Sequence, residues 1–189
     1  MRRKFGGRRG AALGVWLFCG VLGVAGAARA QGLPPPRQLH YLVELRRSLS
    51  TGEPLGIAAA LVRRTETPAT GMIVEQTVTL EMGEEPRESF TLMQVDGAKL
   101  IISEREGRFT GEGELQGPPW AWTGWTSRLE MTGGTGTVRV TESVTPEGRT
   151  AQRRYFSPEG ELRVVTDERY VPLSPELFGV LYQRIMARP

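Results

Sequence analysis

Along residues 70–170 apolar and polar side chains alternate. Val74, Val78, Leu80 and Met82 fall on one face of an extended segment, with Glu75, Thr77, Thr79 and Glu81 on the other. Val138, Val140 and Val144 oppose Arg139, Thr141 and Ser143, and Leu162 and Val164 oppose Arg163. A period of two marks strands with one dry and one wet face, and valine and threonine suit such a pleated surface. The pattern predicts that the valine-bearing face of each strand lines the core.

Turn signals separate these segments: Gly83-Glu84-Glu85-Pro86, Asp96-Gly97, Gly107, Gly117-Pro118-Pro119, Gly133-Gly134-Thr135-Gly136, Pro146-Glu147-Gly148 and Pro158-Glu159-Gly160. Gaps of about ten residues are the rhythm of an antiparallel sandwich or barrel. Asp96-Gly97 predicts a two-residue hairpin turn, because glycine accepts the positive φ required there. No helical period interrupts the stretch, which argues against alternating strands and helices. The expected fold is all-β, an antiparallel up-and-down meander. With roughly eight or more strands such a sheet closes into a barrel and loses its edges.

One helix is signalled over 175–187. Ser174 can cap it, Pro175 suits its first position and Glu176 favours the positive end of its dipole. Leu177, Val180, Leu181 and Met186 are spaced for one apolar face, widened by Phe178 and Ile185. That face predicts docking on the barrel or across one of its openings. Residues 38–49, with Leu39, Leu42, Val43 and Leu45, fit a short helix as well as a first strand.

The N-terminus follows a different pattern. Arg2, Arg3, Lys4, Arg8 and Arg9 precede an apolar run from Ala11 to Ala28, which ends in Ala28-Arg29-Ala30 before Gln31. A basic start, a short apolar stretch and a small-residue exit form a secretory signal peptide over 1–30. They imply an exported protein, periplasmic or secreted. Arg2-Arg3-Lys4-Phe5 also matches the twin-arginine pattern, but paired arginines are common in any leader and the general Sec route is preferred. Cys19 follows the bulky Trp16-Leu17-Phe18, which does not suit a lipoprotein site, and would leave with the leader. Pro34-Pro35-Pro36 makes residues 31–37 an extended tether. Residues 38–189 are then a single domain.

Cleavage changes the charge. The whole chain has 24 basic and 21 acidic residues, net +3, but the leader holds six of the basic ones and no acid. The remainder is net −3, with no basic stripe to support nucleic-acid binding. It has no cysteine, hence no disulfide, and no stable membrane span is expected after cleavage.

Catalytic and metal chemistry find little material. His40 is the sole histidine and only Asp96 and Asp167 could complete a triad, with no G-x-S-x-G turn to expose a serine. His40 is expected at the surface or a sheet edge. The sequence offers no zinc-ligand cluster. Gly111, Gly113 and Gly117, like Gly133-Gly134 and Gly136, are followed by strand-like sequence rather than by the helix a phosphate loop needs. Glu104, Glu106, Glu112 and Glu114 flank one turn, where paired carboxylates could cleave glycosides or hold calcium, but Arg105 and Arg108 among them point to a solvated face. No enzyme activity, cofactor or metal is expected.

The most unusual tract is Pro118-Pro119-Trp120-Ala121-Trp122-Thr123-Gly124-Trp125, which holds every tryptophan outside the leader. A bulge near Gly124 would turn Trp120, Trp122, Trp125, Leu129 and Met131 to the interior together. Such a wall either fills a barrel core or faces an apolar ligand. In the second case Phe90, Leu92 and Phe109 would join Trp120, Trp122 and Trp125 as ligand-binding residues.

The hairpin rhythm of 70–170, the run Gly111-Glu112-Gly113-Glu114-Leu115-Gln116-Gly117 leading into Trp120-Ala121-Trp122, and the closing helix together resemble a calycin. This is the barrel of lipocalins, fatty-acid-binding proteins and lipocalin-like domains of exported bacterial proteins. The resemblance implies a binding protein for a small apolar molecule or lipid held inside the barrel. A half-barrel of the periplasmic lipoprotein-carrier type is the alternative fold, and a structural or interaction module of the cell envelope with a filled core is the alternative function.

N-terminal sequencing of the exported protein is expected to begin at Gln31; an intact leader on the folded protein would contradict the cleavage reading.

Overall fold

The computed structural model describes residues 32–104 and 108–187. The signal-peptide reading for 1–30 falls outside the described residues, as do Gln31, Glu106 and Gly107. Pro34–Pro189 cluster as one compact unit. Its strands are β1 Arg37–Leu49, β2 Pro54–Thr67, β3 Met72–Leu80, β4 Arg87–Asp96, β5 Lys99–Glu104, β6 Phe109–Gln116, β7 Gly124–Met131, β8 Thr137–Thr145, β9 Gly148–Phe156 and β10 Leu162–Pro172. An α-helix, α1 Pro175–Met186, follows.

Each strand pairs antiparallel with the next, and β1 pairs with β10 from Tyr41 to Leu49, closing a ten-stranded meander barrel. This closure replaces the half-barrel alternative. Residues 38–49 resolve as strand because Leu39, Tyr41, Val43 and Leu45 share the inward face at a period of two. The β4–β5 turn sits one residue later than expected. Asp96 pairs with Lys99, so Gly97 and Ala98 form the two-residue loop, and Gly97 supplies its φ of 62°.

Gly111 and Gly113 of β6 face inward and are fixed by close approach, not by anion binding. A Cβ on Gly111 would strike the Arg128 carbonyl, and one on Gly113 would lie 2.6 Å from the Thr126 carbonyl oxygen. Glycine in a strand lets the sheet bend tightly there.

The alternation predicted the strands but reversed the faces of β3. Glu75, Thr77 and Thr79 point into the barrel. Val78 is buried on the outer wall with Leu61 of β2, beneath Phe178 and Ile185 of α1. Met82, expected on the dry face, is fully exposed in the following turn. A period of two records that the faces differ, not which one is inside. Here a helix dries part of the outer wall, and the interior beside β3 is largely polar.

The helix therefore lies along the barrel wall rather than across an opening. Ser174 caps it, its hydroxyl accepting from the Leu177 N–H at 3.2 Å. The docked face is Phe178, Leu181, Tyr182 and Ile185, while Leu177, Val180 and Met186 are about half exposed. The apolar stripe is rotated from the expected one because Leu173 and the outer residues of β2 and β3 fix the contact. His40 is buried under this helix rather than set at an edge, with its ring 4.8 Å from that of Phe178. Burial, and then the Arg63 guanidinium, hold its pKa below the usual histidine value.

Phe178→Ala is expected to cost ~3–5 kcal/mol, whereas Leu177→Ala should stay within about 0.5 kcal/mol of wild type. Urea unfolding of both variants checks this. Equal losses would mean that α1 docks on the other face.

Candidate functional site

The candidate site is the barrel lumen, and its dominant feature is an ion-pair ladder. Arg64 of β2 donates to Glu66 at 2.7 Å and to Glu75 of β3 at 3.0 Å. Arg149 of β9 donates to the same Glu75 oxygen at 2.8 Å and to Glu142 of β8 at 2.7 Å. Arg37 closes the near end on Glu66 at 2.5 Å. Arg64, Glu66, Glu75, Glu142 and Arg149 are all buried. Strands β3 and β9 are far apart around the ring, so the Arg149–Glu75 contact crosses the lumen. The Arg149 guanidinium also lies 4.1 Å from the Tyr170 ring centre and 5.5 Å from that of Tyr41. Aromatic faces attract such a cation.

Burial alone would raise the Glu75 pKa, but Arg149 and Arg64 outweigh it and hold its carboxyl at about 2. Arg149 is likewise disfavoured by burial yet held well above its usual value by Glu142 and Glu75. Both groups stay charged. A second pair joins Arg153 to Glu168 at 2.5 Å, and the Tyr170 hydroxyl donates to Glu168 at 2.7 Å. Burial, and then Glu168, push the Tyr170 pKa well up.

The ladder separates two spaces. On one side is a cavity of about 220 Å³ lined by Glu75 and by inward residues of most strands. On the other is a chamber of about 250 Å³ bounded by Arg64, Glu66, Glu142 and Arg149 and roofed by Ala121 and Trp122. Trp125 borders both.

The cavity has two kinds of wall. Thr77 and Thr79 of β3 face inward beside Ser89 and Thr91 of β4, and Thr77 pairs directly with Ser89. The other walls include Val43, Leu45, Ala60, Val62, Phe109, Leu129 and Tyr155. Glu104 and Arg153 also reach the cavity.

The residues expected to bind a ligand are only partly assembled here. Phe109 and Trp125 line the cavity. Phe90 and Leu92 do not. They alternate with Ser89, Thr91 and Met93, which face inward, so Phe90 and Leu92 lie on the outer wall, and Leu92 is more than a third exposed. Trp120 and Trp122 are not on a strand, because β7 starts only at Gly124. They sit in the β6–β7 loop with ring centres 4.8 Å apart. Trp120 is buried against the barrel end at a φ of 60°, a left-handed conformation that costs a bulky residue strain. Its carbonyl accepts from Arg37 at 3.3 Å. The two prolines before it and the packed indole hold the loop over the opening.

The carboxylates once grouped by sequence are divided by the wall. Glu104 points in, while Glu112 and Glu114 of β6 are exposed outside. The charged interior itself was missed. Its signal was present as acids and arginines two apart, Arg64 with Glu66 and Glu142 with neighbouring valines, at positions that alternation assigns to one face.

No protein-family model matches the chain, and no curated protein matches it. Among the described residues no helix is long and apolar enough to cross a membrane.

Glu75→Gln leaves two buried arginines short of charge and is expected to cost ~3–5 kcal/mol at neutral pH. Because the folded pKa is about 2 against a usual 4.5, the carboxylate's contribution is complete above 4.5 and fades as pH falls toward 2. Unfolding measured from pH 7 to pH 2 should show the wild-type advantage shrinking over that window. A constant gap would mean that the charge of Glu75 does not stabilise the fold.

Proposed function

We propose that this protein binds a small molecule in the barrel cavity, as an exported carrier or sensor module rather than an enzyme. The observation that carries this reading is the hollow itself. The strands close completely, yet about 220 Å³ beside the ladder is unfilled. A cavity of about 150 Å³ already suffices for benzene, and drug-sized ligands use about 300–1,000 Å³. The ligand is therefore compact, one or two rings in size, and smaller than a long acyl chain. The calycin-like sequence pattern and the leader-like N-terminus support a binding role outside the cytoplasm. The buried ladder and the Trp120 plug favour a second reading, a structural module, for the end of the barrel that they fill.

Ala60 lines the cavity from β2, so Ala60→Phe puts a ring into the hollow without touching the ladder. Native mass spectrometry of protein purified from its own cells is expected to show a bound small molecule in wild type and none in Ala60→Phe. Wild-type protein that carries no adduct, and gives no heat with naphthalene or 2-naphthol, would favour the structural module.

A further inference from the structure

We infer that the cavity selects an uncharged ligand whose polar group faces the hydroxyls of β3 and β4. The inference rests on the binding reading above and adds the chemical class of the ligand. Two observations carry it.

First, each arginine of the lumen is paired in charge with a carboxylate, although Nε and Nη1 of the buried Arg149 make no hydrogen bond among the described residues. Arg64 and Arg149 share Glu66, Glu75 and Glu142. Arg153 is held by Glu168 and Arg47 by Glu81. Each positive charge has its negative partner, so an anionic ligand would have to break a pair or bring an unbalanced charge into a space that Glu75 and Glu168 also border. A buried charge without a partner is heavily penalised. An ammonium ligand faces the mirror difficulty, since Glu75 and Glu168 are engaged by arginine and Glu104, the third carboxylate at the cavity, is not free either.

Second, Thr77, Thr79, Ser89 and Thr91 line the cavity and bring four hydroxyl-bearing side chains to one stretch of its wall. Residues two apart on a strand are about 7 Å apart and cross-strand partners about 5 Å. The four hydroxyls thus form a small patch, and each can donate or accept. Phe109, Leu129 and Val62 supply apolar surface elsewhere in the same cavity. A neutral alcohol, ketone or lactone on a compact ring system satisfies both walls.

The test is calorimetric titration at pH 7 with four probes that share one ring system: naphthalene, 2-naphthol, 2-naphthoate and 2-naphthylmethylammonium. 2-Naphthol is expected to bind tightest, by about tenfold over each of the others, the worth of one or two net hydrogen bonds. Thr77→Val/Thr91→Val keeps shape and strand preference. It should reduce the naphthol affinity to that of naphthalene while leaving naphthalene binding and the thermal midpoint nearly unchanged. Naphthoate or the ammonium binding as tightly as naphthol overturns the inference, as does an unchanged naphthol affinity in the double variant. In those cases naphthalene still binds and the binding reading survives. If none of the four probes saturates, the binding reading falls and takes this inference with it.

Discussion

Arg149 reaches from β9 across the lumen to Glu75 on β3, at 2.8 Å, and the rest of the interior is arranged around that contact. A guanidinium taken out of water loses hydration worth several kcal/mol. It is kept charged here by two carboxylates and two aromatic faces. Glu75 in turn needs Arg64, and Arg64 needs Glu66. The strands bearing these residues must close into a ring at one register, because a slip of one residue would turn every charge outward. Buried pairs contribute little net stability compared with well-packed apolar groups. In this barrel they join β2, β3, β8 and β9 across the lumen.

The polar interior moves part of the hydrophobic core elsewhere. One apolar cluster packs inside, around Ile73, Met93, Leu100, Trp125 and Leu129. Another lies on the outer wall, where α1 covers Leu61 and Val78. The helix stands in for core that the charged lumen does not provide on that side. The β6–β7 loop closes one end by similar means, with Trp122 over the ladder chamber and Trp120 packed into the inner apolar cluster on a strained backbone.

Much of this architecture was legible in the sequence. Regular turns and a period of two gave the meander, and Ser174-Pro175-Glu176 gave the start of the helix. The site was less legible. Phe109 and Trp125 line the cavity from the inward faces of β6 and β7. Phe90 and Leu92 were misplaced because β4 carries its serine and threonine inward, against the usual preference. Trp120 and Trp122 read as strand because the turn signal ends at Gly117-Pro118-Pro119, whereas the loop runs on to Thr123. Local spacing carries inward charges such as Arg64 and Glu66, but the contact across the lumen could not be read from it, since Glu75 and Arg149 are 74 residues apart and only closure of the ring brings them together.

The central claim is that a hollow with one hydroxyl wall persists above a self-neutralised ladder. A crystal structure of the protein soaked with 2-naphthol tests it most directly. The account predicts the ring beside Phe109 and Leu129, its oxygen within hydrogen-bond distance of Thr77, Ser89 or Thr91, and the Arg149–Glu75 contact intact. Side chains repacked to fill the cavity, or the naphthol oxygen seated on a displaced Arg149 or Arg153, would contradict it.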